Sequence, residues 1–205
     1  MHIKFVKARY CNFLGLATLT QVNTTEPFVR PLRSTASFDH YEPHAMPATD
    51  ATTPEAFKAL LSAFTAQLAG KPLDGALDAW LNREHGASSQ TFVDLKAACQ
   101  AGVAAGWLCE REGGGIRYGR IFKPSAELHG FSVDVVDMQD VAGPHHVHPS
   151  GEIDLIMPIE GDARFDGRAA GWLVCPPGSA HRPTVSNGRA LVLYLLPDGQ
   201  IQFTR

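Results

Sequence analysis

A chain of 205 residues with 44% hydrophobic content is long enough for one domain with a real core, or one domain with a small appendage. Its formal net charge of −3 leaves no electrostatic footprint for nucleic acid or an anionic membrane, and its longest apolar runs, such as 190–196, are too short to span a bilayer. The four cysteines, Cys11, Cys99, Cys109 and Cys175, form no C-x-x-C pair, which argues against zinc-ribbon and thioredoxin chemistry and fits reduced thiols in a cytoplasmic protein.

Residues 1–52 read as an extension and linker. Lys4, Lys7 and Arg9 precede a weakly apolar stretch at 13–19, and the first acidic residue is Glu26. That order superficially resembles a targeting segment, but Gly15 and Thr18 interrupt the apolar stretch and no persuasive small-residue cleavage site follows. A Pro- and Thr-rich linker then leads to a helical region at 53–106. There Thr53 is an N-cap with Pro54 at the first helical position and Glu55 in the first turn, and Phe57, Leu60, Leu61, Phe64 and Leu68 recur at helical spacing until Gly70. A second helix is predicted over 73–84, with Leu77, Trp80 and Leu81 on its apolar face. A third is predicted from about Ser89 to Ala104, with Phe92, Leu95 and Val103 inward.

After Gly106 the periodicity changes to that of strands. Segments 107–111 and 116–122 flank a Gly113-Gly114-Gly115 turn as a hairpin, and further strands are predicted at 131–138, 152–159, 163–165, 171–174, 190–196 and 200–204. Helices first and short Gly- and Pro-punctuated strands afterwards predict an α+β protein, with an antiparallel β-barrel over 107–205 and the helices packed on it. A helix followed by a Gly-tipped hairpin also suggests a winged-helix regulator. However, the third helix has Lys96 as its only basic residue, offset by Asp94, and lacks the charge to engage phosphates.

The chemistry concentrates in the run Gly143-Pro144-His145-His146-Val147-His148-Pro149-Ser150-Gly151-Glu152 and in Cys175-Pro176-Pro177-Gly178-Ser179-Ala180-His181. In a strand, residues i and i+2 face the same way, so His146 and His148 aim both imidazoles at one point. Pro149-Ser150-Gly151 turns the chain so that Glu152 opens the next strand nearby, and the Pro176-Pro177-Gly178 turn delivers His181 from a later one. Three imidazoles and a carboxylate suit a divalent transition metal such as Fe, Mn, Zn or Ni.

The pattern His146-x-His148-x3-Glu152 with Pro176-x-Gly178-x2-His181 resembles the two metal-binding motifs of the cupin superfamily. More narrowly, the run from His146 to Pro158 and the helices ahead of it resemble bacterial 4-hydroxylaminobenzoate lyases over about residues 54–204. The resemblance implies a cupin-type barrel, a lyase releasing ammonium and protocatechuate from a small aromatic acid in 4-nitrobenzoate degradation, and a possible homodimer. Around the metal ligands, Asp154 would share the interior face of Glu152 and serve as proton shuttle or ligand-orienting acid. His145 is the other catalytic candidate beside Asp154; on the opposite face of a regular strand it would stand behind the ligands or at the surface rather than ligate. Arg120 and Arg182 are the candidates to pair with a substrate carboxylate, Lys123 a weaker one, and His129 and Tyr118 are further acid–base candidates. A cupin dioxygenase acting on an aromatic or thiol substrate, and a non-catalytic ligand-binding cupin, share the same ligand set.

Overall fold

The computed structural model describes residues 53–204. The extension and linker expected at 1–52, including the targeting-like segment, lie outside these residues. Among the described residues no helix is long and apolar enough to cross a membrane.

Three helices come first: α1 (Pro54–Thr65), α2 (Gly75–Glu84) and α3 (Gln90–Ala105). Thr53 caps α1 as expected, its hydroxyl accepting from Ala56 N–H at 3.2 Å. The helix stops short of Gly70 because the hydrogen bonds of Gln67 and Leu68 reach back three residues rather than four, although Leu68 is still buried. The second helix starts two residues later than the apolar pattern suggested. The cause is Asp74, whose carboxylate accepts from both Ala76 and Leu77 N–H at 2.9 Å.

Strands follow: β1 (Arg111–Gly113), β2 (Ile116–Phe122), β3 (Phe131–Gln139), β4 (His146–His148), β5 (Glu152–Phe165), β6 (Gly171–Cys175), β7 (Ser179–His181), β8 (Val185–Pro197) and β9 (Gln202–Phe203). They form a six-stranded antiparallel sheet in the order β1-β2-β3-β8-β5-β6 and a three-stranded sheet in the order β7-β4-β9. Two expectations are corrected. The first strand of the hairpin is not 107–111, because Trp107 and Leu108 N–H both return to Gly102 O and Cys109 takes a left-handed φ of 55°, so pairing starts at Arg111. The segments 152–159 and 163–165 are one strand, kept continuous by register shifts between Pro158 and Glu160 and between Gly161 and Arg164.

Alternation along the large sheet separates two cores. Ile153, Leu155, Met157, Leu191, Leu193 and Leu195 pack against the helical side chains Phe57, Leu61, Phe64, Leu81 and Leu95. The opposite face carries Ile156, Phe165, Val192, Tyr194 and Leu196, which form the barrel interior. Helix α2 also closes the edge strand β6. Asn82 exchanges two 2.9 Å hydrogen bonds with the backbone of Trp172, and Asp78 accepts from Val174 N–H at 3.0 Å, so this edge presents satisfied groups rather than a template for another strand.

Candidate metal centre

His146 and His148 occupy alternate positions of β4, and both are buried. Their strand pairs with β7, where His146 lies directly across from His181, so the three imidazoles meet on one face of the small sheet. The connection from β4 to β5 has to reverse within three residues. Gly151 makes this possible with φ +85°, and a Cβ there would stand 2.8 Å from both Cys175 O and Leu73 Cδ2. The carbonyl of His148 accepts from Gly151 N–H at 3.1 Å and from Gly178 N–H at 2.9 Å. One oxygen thus ties together the two turns that present Glu152 and His181.

The ligand atoms of His146, His148, Glu152 and His181 all lie within 4.8 Å of one another. His181 Nε2 is 3.0 Å from His146 Nε2 and 3.3 Å from His148 Nε2, and 3.6 Å from Glu152 Oε1. Ligands about 2.1 Å from a common ion lie roughly 3.0–3.4 Å apart around it, so these separations suit one. The polar bookkeeping agrees. Glu152 is fully buried and neither of its oxygens makes a well-formed hydrogen bond, although His148 Nε2 lies 2.5 Å from one of them. A buried carboxylate facing three nitrogens that cannot all share protons is costly until a cation joins them. The cluster can therefore hold a metal ion.

The environments of the four differ. Burial, and then the neighbouring His148 and His181, push His146 down to about 4, so it is neutral and free to ligate. Burial opposes charge on His181 too, but there the hydrogen bond to Asp166 and the nearby Glu152 outweigh it and raise the imidazole above its ordinary value. Behind the nitrogens, His146 Nδ1 faces Pro144 O at 3.0 Å, His148 Nδ1 is buried without a partner, and His181 Nδ1 meets Asp166 Oδ2 at 2.6 Å.

Cross-strand register places a polar row beside the cluster. Arg120 on β2 is opposite Asp134 on β3, which is opposite Tyr194 on β8, which is opposite Asp154 on β5. Directly paired residues share a face, so all four lie on the barrel-facing side of the sheet, with Asp154 and Tyr194 buried and Arg120 exposed at the outer end of the row. Asp154 is fully buried with both oxygens unpartnered; burial, and then the charge of Glu152, push its carboxyl well above the usual range. Arg120 Nε donates to both oxygens of Asp134 at 2.9 and 3.0 Å, and Ser132 Oγ donates to the same carboxylate at 3.0 Å.

The structure does not bring the other candidates to this row. Arg182, just past the end of β7, is exposed and its guanidinium donates to Gly143 O at 3.1 Å. His145 points to the other side of β4, with Nδ1 2.6 Å from Thr204 Oγ1. Lys123 is exposed, His129 Nδ1 is tied to Thr65 Oγ1 at 3.0 Å, and Tyr118 stands 40% exposed toward the outer strands. Three residues near the centre gave no strong signal in the sequence. Phe203 stacks edge-on to His146 at 5.5 Å while 63% exposed, and Asp166 contacts His181 across a 15-residue separation. Tyr194 is the third, and its hydroxyl within the aliphatic run 191–196 was the only hint.

Comparison with known proteins gives the family. The family model for 4-hydroxylaminobenzoate lyase matches residues 59–203. The 4-hydroxylaminobenzoate lyase of Pseudomonas putida is 31% identical over 157 residues, covering 68% of this chain and 89% of its own. That of Nocardioides sp. (strain LMS-CY) is 32% identical over 149 residues, covering 68% and 88%. Among solved structures, the DMSP lyase DddQ from Ruegeria pomeroyi DSS-3 superposes with a TM-score of 0.44 at 17% identity, over 74% of this chain and 98% of that one, too loosely to bear on the reaction. On the family match and the two relatives, the chain belongs to the 4-hydroxylaminobenzoate lyase family.

Proposed function

We propose that this protein converts 4-hydroxylaminobenzoate to 3,4-dihydroxybenzoate (protocatechuate) and ammonium within 4-nitrobenzoate degradation, with a divalent ion held by His146, His148, Glu152 and His181. The observation that carries the reading is the convergence of those four ligand atoms inside the barrel, next to a buried acid with no partner, in a chain of this family.

The reaction balances without an external oxidant or reductant. Loss of the N-bound hydroxyl as water leaves an electron-poor nitrenium. The carbon para to nitrogen carries the carboxylate, so water adds at the ortho carbon, and a second water hydrolyses the resulting imine. The net change is substrate plus one water to catechol plus ammonia. A divalent ion in the cluster supplies Lewis acidity toward the departing hydroxyl. Asp154, whose carboxyl is pushed well above the usual range by burial and then by the charge of Glu152, is the group suited to hand a proton to that leaving oxygen and to take one back from the adding water. Arg120 is the carboxylate anchor. Asp134 occupies its Nε and fixes the plane of the guanidinium, leaving the terminal nitrogens for a charge-assisted contact. Arg182, turned away to Gly143, is not suited to that part. Phe165 and Phe203, each in ring contact with a ligand histidine, offer apolar walls for an aromatic substrate.

The test is anaerobic incubation of metal-verified protein with 4-hydroxylaminobenzoate. Equimolar ammonium and protocatechuate are expected without oxygen. N-phenylhydroxylamine, lacking the carboxylate, should turn over with a much higher KM. Absence of both products from protein carrying its ion would overturn the assignment.

A further inference from the structure

We infer that Asp166 is a positioning residue of this centre, fixing His181 as a ligand through Nε2. The inference rests on the reading that the cluster holds an ion. Asp166 sits in the turn after β5 with a left-handed φ of 48°, and its backbone N–H donates to Thr184 O at 2.9 Å. Its Oδ1 accepts from Thr184 N–H at 2.8 Å, and its Oδ2 lies 2.6 Å from His181 Nδ1. The carboxylate is therefore clamped on one side by backbone and accepts from the imidazole on the other.

An anionic acceptor at that distance holds the imidazole proton on Nδ1 and leaves the lone pair of Nε2 directed at His146, His148 and Glu152. Neither of the other two histidines has this backing: one faces a backbone carbonyl and the other a buried space with no partner. His181 is also the least enclosed of the three, with 17% of its side chain exposed on a strand of three residues, where packing alone constrains it least.

This geometry sets an unusual order for two variants. In Asp166→Asn the amide oxygen stays on the fixed Thr184 N–H and its NH2 faces His181 Nδ1. That nitrogen must then accept, and the proton moves to Nε2, the atom an ion needs. Asp166→Ala opens Nδ1 to water and leaves either tautomer available. A merely structural turn residue would give the reverse order, with alanine the more harmful.

The experiment measures zinc affinity of the full chain by competition with a chromophoric chelator. Thermal unfolding of the metal-free proteins identifies any variant that has lost its fold. In parallel, 15N shifts of the neutral His181 imidazole report where its proton sits. The expected result is a roughly 10–100-fold loss of zinc affinity in Asp166→Asn, a smaller loss in Asp166→Ala, and a proton that moves from Nδ1 to Nε2 only in the asparagine variant. Equal affinity in wild type and Asp166→Asn, or a larger loss in alanine than in asparagine, overturns the inference alone. No zinc uptake by wild type overturns it together with the metal reading beneath it.

Discussion

The two faces of β5 differ in what they ask of the fold. Toward the helices, Ile153, Leu155 and Met157 are fully buried among aliphatic and aromatic side chains, and every atom gains by being there. Toward the barrel interior, Glu152 and Asp154 are just as buried, yet their four carboxylate oxygens lack hydrogen-bond partners. One strand thus carries the stability of the domain on one side and a standing electrostatic penalty on the other. A fold tolerates such a penalty where chemistry needs it, and the apolar face offsets it.

The sharpest way to break this comparison is to remove ligands. Replacing His146 and His148 together by alanine should abolish ion uptake and product formation. Far-UV circular dichroism should stay near wild type, since both residues lie on the small sheet, away from the helical core. A variant that keeps full turnover would sink the site assignment.

Asp154→Asn should separate the two roles of the inner face. Turnover is expected to fall by about 10²–10⁴-fold, the usual worth of a positioned acid–base group. The metal-free variant should nevertheless melt higher than wild type at neutral pH. The folded-state value of Asp154 is raised above its unfolded one, so the folded protein holds the extra proton in that window and loses stability as pH rises through it; asparagine has no proton to lose. A lower melting temperature with unchanged turnover would contradict both halves.

On the outer face, Leu155→Ala should cost about 2–5 kcal/mol of stability by leaving a cavity. The kcat of the molecules that remain folded should be unaltered. Chemical denaturation alongside active-site-normalised kinetics checks this, and a loss of kcat would mean that the two faces are coupled through the strand.

The smallest effect concerns pH. His146 is already neutral above about 4, whereas His181 is raised above its ordinary value, so of these two it is His181 whose proton an ion arriving near pH 6 has to displace. Affinity should rise by about one decade per pH unit toward neutrality and level off once the pH passes the His181 value. Isothermal titration across pH 5.5–8 would test it. A flat profile would mean that His181 does not enter the coordination.

The sequence went a long way where the physics is local. The cap at Thr53, the start of α3 near Ser89, the change of pattern after Gly106, the period-two pair His146 and His148, and the turns ahead of Glu152 and His181 each depend on neighbours a few residues off. The chain therefore displays them directly. By itself it determined the order of helices before strands, the residue types of the clustered His146, His148, Glu152 and His181, and the interior direction of Asp154 two residues beyond Glu152.

Tertiary structure decided what depends on register and on long-range partners. Arg120 and Arg182 are equivalent as side chains. Only the pairing of β2 with β3 puts Arg120 on the face of Asp154, while Arg182, just past the end of β7, is spent on Gly143 O. The length of β5 could not be read through Gly161, because its bulges exist only against the partner strand β8. Asp166 is followed by Gly167, a pair that by itself marks only a turn, and its contact with His181 arises only when the end of β5, β7 and Thr184 ahead of β8 are brought together. Side-chain type and spacing are written along the chain, but which surface a residue faces, and what stands across from it, is fixed when the strands pair.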